Sequence, residues 1–171
     1  MLNAFCYSGG FSVYALAAGA SAVHSIDISP KAIDLTLENI TLNAAYFSGK
    51  HTAAAADVLP FFKENTHIYD VIVVDPPAFA KSIAKRHNAV QAYKRLNAMA
   101  LRQITEGGIL FTFSCSQVVD RQLFYDTLVA AAIETGRKIR VMHHLTQPAD
   151  HPVNIFHPEG SYLKGLVLYV E

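Results

Sequence analysis

The sequence contains few charged residues, few cysteines and no long apolar run. Charged residues make up 16% of the 171 residues and hydrophobic residues 51%, which excludes an intrinsically disordered chain. No apolar stretch reaches the roughly 18 residues that a membrane span needs, and no basic and apolar leader opens the chain. We therefore expect a cytoplasmic protein without a membrane partner. The two cysteines, Cys6 and Cys115, form neither a disulfide framework nor a CxxC site.

Acidic residues are missing from one long segment. Residues 76–105 contain no Asp or Glu but six basic residues: Lys81, Lys85, Arg86, Lys94, Arg95 and Arg102. The segment thus carries a charge of +6, and the remainder carries −6, with 8 basic residues against 14 acidic ones. A surface of one charge suits a polyanion such as nucleic acid, although a solvated helix face explains the charges equally well. The eight histidines follow no common metal-ligand spacing, so we expect no metal site.

Short apolar runs alternate with helical patterns along the whole chain. Runs rich in Val, Ile and aromatic residues predict strands in "LNAF", "AVHSID", "IYDVIVVD", "GILFTFS", "KIRVMHHL" and "YLKGLVLYV", with a weaker strand in "HTAAAAD". Helices are predicted in "GFSVYALAAG", "SPKAIDLTLENITLNA", "LPFFKENT", "NAVQAYKRLNAMALRQITEGG" and "VVDRQLFYDTLVAAAIETG". This alternation predicts one α/β domain with a doubly wound parallel sheet. Such sheets bind ligands beyond the carboxyl ends of their strands.

Two kinds of residue set the predicted helix boundaries. Ser29 is typical of an N-cap, and Pro30 is typical of the first helical position. Gly19, Gly108 and Gly136 are predicted to end helices, because glycine readily adopts the left-handed conformation that follows a helix.

A glycine-containing loop, "AFCYSGGFS", follows the first predicted strand. Gly9 and Gly10 permit a tight turn and close approach of the backbone to a ligand, but the GxGxxG dinucleotide fingerprint is missing. Asp27 ends the second strand, where an acidic residue reaches ribose hydroxyls, and Asp57 ends the third, where it can accept from an adenine amine. Each residue alone is explained as well by a plain turn or a helix cap. Together they favour an adenosyl ligand without a pyrophosphate, which fits S-adenosylmethionine better than NAD.

The next two strand ends carry a carboxylate and a thiol. In "VIVVDPPAFAKS", Asp75 precedes Pro76 and Pro77, which remove two N–H donors and stiffen the loop. In "FSCS", Cys115 ends the following strand, so we expect its thiol beside Asp75 across a cleft. A Pro-rich turn and a packed thiol are the alternatives to a reactive site.

A third polar stretch, "ADHPVNIFHPEGSYLKG", precedes the last strand. Its His-Pro pairs predict an ordered, non-helical loop that carries Asp150, His157 and Glu159. Spacing alone favours Glu159 as an exposed loop carboxylate.

These motifs resemble the class I S-adenosylmethionine-dependent methyltransferases. More narrowly, they resemble the bacterial large-subunit (23S) ribosomal RNA cytosine-5 methyltransferases. "LNAFCYSGGFSVYAL", "DPPAFAKS", "YKRLN", "FSCS" and "ADHPVN…HPEGSYLKG" match that family's blocks in order over essentially the whole chain. The resemblance implies a Rossmann-like sheet, mostly parallel with an antiparallel C-terminal strand, and S-adenosylmethionine as cofactor. It also implies that residues 1–171 are a methyltransferase domain without the N-terminal RNA-binding PUA and connecting domains of the family. A homodimer of the full-length protein stays open.

The resemblance assigns roles to individual residues. The expected cofactor contacts are Tyr7, Ser8, Gly9, Gly10, Asp27, Ile28, Asp57, Val58 and Asp75. The expected contacts to the target base and flanking RNA are Pro76, Pro77, Phe79, Lys81, Lys94 and Arg95. Cys115 is the expected nucleophile and Asp75 the group that holds the pyrimidine. Glu159 is the expected base, by a looser similarity to RNA uridine-5 methyltransferases. We assign Cys6 to packing.

The expected reaction is methyl transfer to carbon-5 of a cytosine in ribosomal RNA. A thiolate added at carbon-6 breaks the conjugation of the ring and makes carbon-5 nucleophilic. Three alternatives stay open: methylation of a base nitrogen on the same fold, cofactor binding without catalysis, and, less favoured, a dehydrogenase.

Overall fold

Seven strands form one sheet in the computed structural model, which describes residues 1–171. The strands are β1 (Leu2–Ala4), β2 (Ala22–Asp27), β3 (Lys50–Ala55), β4 (Tyr69–Val74), β5 (Ile104–Ser114), β6 (Ile139–Leu145) and β7 (Lys164–Val170). Their order is β3-β2-β1-β4-β5-β7-β6, with β1 to β5 parallel and β7 antiparallel to both neighbours. The predicted doubly wound α/β sheet with an antiparallel C-terminal strand is confirmed.

Five helices connect the strands. They are α1 (Gly10–Ala17), α2 (Pro30–Leu42), α3 (Val58–Glu64), α4 (Arg86–Arg102) and α5 (Arg121–Thr135), with short 3-10 turns at Ala44–Tyr46, Ile83–Lys85 and Pro158–Gly160. Ser29 caps α2 and Pro30 begins it, as predicted. Gly136 ends α5 in the left-handed conformation, also as predicted. No helix combines the length and apolar character that a membrane span requires.

The main core lies where α4 and α5 pack on the centre of the sheet. Tyr93 and Leu96 of α4 and Phe124 of α5 are almost completely buried, and the rings of Tyr93 and Phe124 meet edge to face at 5.6 Å. The sheet contributes apolar side chains such as Leu110 to the same cluster. Burying each such side chain contributes about 1.5–3 kcal/mol, so this packing fixes the strand ends that carry the site.

The predicted end of α4 is wrong. We expected the helix to continue to Gly108, but it ends at Arg102, and Ile104 already pairs with Tyr69 of β4. The Gln103 side chain ends the helix, because its Nε2 donates to the carbonyls of Phe62 (2.6 Å) and Asn65 (2.9 Å). Gly108 lies within β5 instead, where a Cβ atom would come within 2.9 Å of a β4 carbonyl oxygen.

Candidate active site

The glycine loop after β1 has a backbone that requires glycine at one position. Gly9 adopts φ +75°, and a Cβ atom there would lie 2.7 Å from the Cγ2 atom of Thr36. Phe5 and Tyr7 also have positive φ angles, 61° and 47°. Such conformations cost a non-glycine residue about 1–3 kcal/mol, so the loop is held in shape by its surroundings.

Two side chains of α2 hold this loop. The Thr36 hydroxyl donates to the carbonyl of Tyr7 (2.9 Å), and the Asn39 amide donates to the carbonyl of Ser8 (2.8 Å). Neither residue was predicted from the sequence. Their only sequence signal is a pair of polar residues three positions apart on one face of α2.

Asp27 links the glycine loop to the start of α2. Its Oδ2 atom accepts from the Tyr7 N–H (3.0 Å), and its Oδ1 atom accepts from the Ser29 N–H (2.9 Å). A carboxylate oxygen has more than one acceptor site, so Asp27 can also accept from ligand hydroxyls. Ile28 (68% exposed) follows Asp27 in sequence, and Tyr7 (71% exposed) is joined to Asp27 through its N–H, so both offer apolar surface beside the carboxylate.

Asp57 stands at the end of the next strand. Its Oδ1 atom caps α3 by accepting from the Leu59 N–H (3.0 Å), and its other oxygen makes no hydrogen bond. Val58, which we expected to contact the cofactor, is 1% exposed and is closed to a ligand in this conformation. The glycine turn, the Asp27 carboxylate and the open Asp57 oxygen fit the hydroxyls and amine of an adenosyl group.

Cys115 and Asp75 lie together, as the order of β4 and β5 predicts. The Cys115 Sγ atom is half-buried and lies 3.8 Å from the carbonyl oxygen of Pro76. The Asp75 carboxyl keeps a solvent-exposed face, but desolvation by the surrounding protein raises its pKa to about 6. Burial, and then the charge of Asp75, raise the pKa of the Cys115 thiol, whereas Lys164 acts to lower it. In this conformation the surroundings therefore disfavour the Cys115 thiolate.

The other cysteine differs in its access. Cys6 is 5% exposed, and its Sγ atom lies 3.5 Å from the Thr36 hydroxyl. Burial raises the pKa of its thiol as well. A closed, protonated thiol beside a hydroxyl supports the assignment of Cys6 to packing.

The proline loop, residues 76–80 after β4, is tied to the cysteine turn, residues 115–116 after β5. The Ser116 hydroxyl donates to the carbonyl of Ala80 (2.7 Å), and the ring of Phe79 packs 4.7 Å from that of Tyr93. Pro76 is buried and Pro77 is exposed. The loop is therefore held at Phe79 and Ala80, on the C-terminal side of Asp75.

The basic segment is divided between two environments. Lys94 and Arg102 form ion pairs with Glu134 of α5, at 2.9 and 2.8 Å. Lys94, which we expected to contact RNA, is thus already paired with a carboxylate. The exposed basic residues of this segment without an ion pair are Lys81, Lys85, Arg86 and Arg95.

The third loop stands open to solvent. The Glu159 carboxylate pairs with His157 at 3.3 Å and makes no hydrogen bond to Cys115. Asp150 pairs instead with His151, also at 3.3 Å. Glu159 lines a cavity of about 330 Å³ whose wall also includes Gln117 and Lys164. Glu159 is therefore near the cysteine turn without touching the thiol.

One charged residue of this region, Lys164, was not predicted from the sequence. Lys164 is 6% exposed, and its Nζ atom donates to the carbonyl of Ser116 (2.6 Å). Its signal was a lysine at the start of an otherwise apolar strand, "KGLVLYV". Burial lowers the pKa of its ammonium.

Comparisons with known proteins place the chain in a family. A family model described as S-adenosylmethionine-dependent methyltransferase matches residues 1–166. The chain belongs to this family, which confirms S-adenosylmethionine as the cofactor expected from the glycine loop and its two aspartates. Among its relatives is a protein of Aeromonas hydrophila named Ribosomal RNA large subunit methyltransferase I, 40% identical over 170 residues.

Solved structures agree with this assignment. The chain resembles a SAM-dependent methyltransferase from Streptococcus mutans, with 25% identity and a TM-score of 0.82, covering 98% of this chain and 43% of that one. A methyltransferase structure complexed with SAH has 25% identity and a TM-score of 0.81, covering 98% and 44%. The Aeromonas alignment likewise covers 98% of this chain and 43% of the relative. The chain thus spans less than half the length of these proteins.

Proposed function

We propose that this chain is the methyltransferase domain of an enzyme that methylates carbon-5 of a cytosine in large-subunit ribosomal RNA. The observation that carries the proposal is the half-buried Cys115 thiol beside Asp75, at the ligand-binding edge of a methyltransferase sheet. Methylation of a nitrogen needs no such thiol, whereas methylation of carbon-5 needs a nucleophile at carbon-6. The ribosomal RNA substrate is supported by the name of the Aeromonas relative.

In the first step the Cys115 sulfur bonds to carbon-6 of the pyrimidine. Asp75 accepts the thiol proton, because its carboxyl is adjacent and its raised pKa of about 6 lies close to neutrality. The protonated carboxyl then donates to the ring nitrogen whose charge develops as the adduct forms. Carbon-5 becomes nucleophilic, and the bound cofactor supplies the methyl group.

In the second step the proton on carbon-5 must leave. We assign the removal of this proton to Glu159, which lines the cavity next to the cysteine turn and can turn away from His157. The carbon–sulfur bond then breaks, the ring regains its conjugation, and Asp75 returns its proton to Cys115. In the whole reaction one proton passes from the pyrimidine to Glu159, and Asp75 and Cys115 return to their starting protonation states.

The RNA must present an unpaired or flipped-out base to this edge. Lys81 and Arg86 stand exposed after the proline loop, where they can hold the phosphates that flank the target. Arg95 contributes from α4, whereas Lys94 contributes only if it leaves Glu134. RNA recognition in a longer protein would add surfaces beyond this domain.

Methylation of a base nitrogen is the second candidate. It is favoured by the raised pKa of Cys115, which leaves little thiolate at neutral pH before substrate binds. On that chemistry the acid-Pro-Pro loop would hold the base and Cys115 would have no role.

A trapping experiment separates the two. RNA that contains 5-fluorocytosine at the target should form a denaturation-resistant adduct, because fluorine cannot leave as a proton. The adduct should form with the wild type and with Cys6→Ala, and should be lost with Cys115→Ala. Turnover of unmodified RNA with no adduct on the fluorinated RNA would reject covalent catalysis and favour the nitrogen reaction.

A further inference from the structure

Lys164 is an unexpected residue to find buried beside the cysteine turn. A buried ammonium loses its hydration, which costs free energy unless charged or polar partners replace the water. Lys164 is 6% exposed and forms no ion pair, and the only hydrogen bond of its ammonium goes to the Ser116 carbonyl at 2.6 Å. Packing alone would be served better by an apolar side chain.

The sheet sets the position of Lys164. In the antiparallel register of β5 and β7, Lys164 pairs with Ser114, the last residue of β5. The following turn, Cys115–Ser116, is held by Lys164 at the Ser116 carbonyl and by Ala80 at the Ser116 hydroxyl. Lys164 thus fixes the backbone next to the thiol.

The charged groups around the thiol act in opposite directions. Asp75, at the end of β4, raises the pKa of Cys115, and Lys164 lowers it. Tyr93 of α4 also faces this thiol, and burial raises the pKa of its phenol. From α5, Arg121 lowers the pKa of the Lys164 ammonium and Asp120 raises it. Lys164 is the one cation that favours the Cys115 thiolate.

We propose that Lys164 positions Cys115 for reaction. Lys164 fixes the cysteine turn through the Ser116 carbonyl and offsets the negative charge of Asp75 at the Cys115 sulfur. The inference rests on the proposed function, because only a covalent mechanism needs an activated thiol there. It assigns Lys164 a role without contact to substrate or cofactor.

The test measures the thiol itself. Wild type, Lys164→Met and Lys164→Arg are treated with iodoacetamide between pH 6 and pH 10, and alkylation of Cys115 is followed by peptide mass spectrometry. Lys164→Met keeps most of the side-chain length but removes the charge. Alkylation of Cys115 at pH 7.5 should therefore fall about 5–10-fold, and the pH midpoint of that alkylation should rise by up to about one unit. Lys164→Arg should stay within about 2-fold of the wild type, since the charge is kept.

Two controls accompany these variants. Cys6 serves as the internal reference, because its alkylation should be equally slow in all three proteins. Asp75→Asn removes the opposing charge and should speed alkylation of Cys115. Folding is checked by thermal denaturation.

Three outcomes would overturn the proposal. The first is an unchanged alkylation midpoint of Cys115 in folded Lys164→Met. The second is Cys115 alkylation that is normal in Lys164→Met but slowed in Lys164→Arg. The third is failure of both variants to fold, which would assign Lys164 to the core. The measurement needs neither RNA nor cofactor. A shifted midpoint without a 5-fluorocytosine adduct would therefore reject the proposed function alone, and an adduct without a shift would reject only the role of Lys164.

Discussion

The two halves of the ligand-binding edge hold their polar groups in different ways. At the ends of β1 to β3 the loop and its supports are satisfied by hydrogen bonds. Asp27 accepts from two backbone N–H groups, and Thr36 and Asn39 donate to two loop carbonyls. This half therefore has its shape before a ligand binds, and we call the glycine loop with Asp27 and Asp57 the cradle.

At the ends of β4, β5 and β7 the ionisable groups are desolvated instead. Burial raises the pKa of Asp75 and Cys115 and lowers the pKa of Lys164, so each charged form is disfavoured. The pKa values of Asp75 and Lys164 shift toward neutral pH, where proton transfer is easiest, and such shifts often mark reactive sites. Fixed hydrogen bonds suit the half for which we propose cofactor binding, and shifted pKa values suit the half for which we propose the chemistry.

The largest expected effect separates the two cysteines, one in each half. Cys115→Ala should reduce methyl transfer to RNA at least about 1,000-fold and leave the affinity for S-adenosylhomocysteine within a few-fold, because the nucleophile is lost and the cradle is not. Cys6→Ala should keep the activity. Radiolabelled methyl transfer and calorimetry measure the two quantities. Equal losses of activity in both variants would remove the distinction between the two halves.

The next effect concerns the shape of the cradle. Gly9→Ala should lower the free energy of unfolding by about 2–3 kcal/mol, because φ is positive there and the new Cβ atom would meet Thr36. Gly10→Ala is the matched control, since a Cβ atom there meets nothing within 4 Å. Urea denaturation compares them. A similar stability of the two variants would show that the loop adapts and is not preformed.

The sequence predicts the cradle and the reactive pair through position. Asp27, Asp75 and Cys115 each follow an apolar run, and parallel strands bring their ends to one edge, so their neighbourhood follows from the strand order. The residues that hold them in place were not predictable in this way. Thr36 and Lys164 act through contacts between segments far apart in sequence, and such contacts leave no local pattern.

The end of α4 shows a second limit. The helical pattern continues through Gln103, and nothing nearby in the sequence reveals that its side chain reaches the carbonyls of Phe62 and Asn65, about 40 residues earlier. The ion pairs of the basic segment were not predictable from the sequence either, because Glu134, which pairs with Lys94 and Arg102, lies on another helix.

A smaller effect compares the two carboxylates of the cradle. Asp27→Asn should weaken binding of S-adenosylhomocysteine about 10–30-fold, because the amide removes an acceptor shared by the loop, α2 and the ligand. Asp57→Asn should weaken it less, by about 3–5-fold, since asparagine still caps α3 through its one oxygen and only the acceptor that faces the ligand is lost. Calorimetry at one salt concentration measures both. A larger loss at Asp57 would reverse the order of the two contacts.

The smallest expected effect tests whether folding raises the pKa of Asp75, at the end of β4. The pKa of Asp75 rises from its usual 3.8 to about 6 on folding, so between these pH values the unfolded chain loses its proton first. Stability is therefore lost as the pH rises from about 4 to 6. Asp75→Asn removes this loss and should be more stable than the wild type by about 1 kcal/mol at pH 7.5, a figure reduced because the carboxyl keeps a solvent-exposed face.

Urea denaturation from pH 4 to pH 8 follows this difference, which should shrink toward zero as the pH falls through 6 to 4. Asp34→Asn, the same substitution at an exposed position on α2, is the matched control. If Asp75→Asn gains no stability at pH 7.5 relative to pH 4, Asp75 is not held at a raised pKa. It could then not readily return a proton to Cys115, and the two halves would differ only in the ligands they meet.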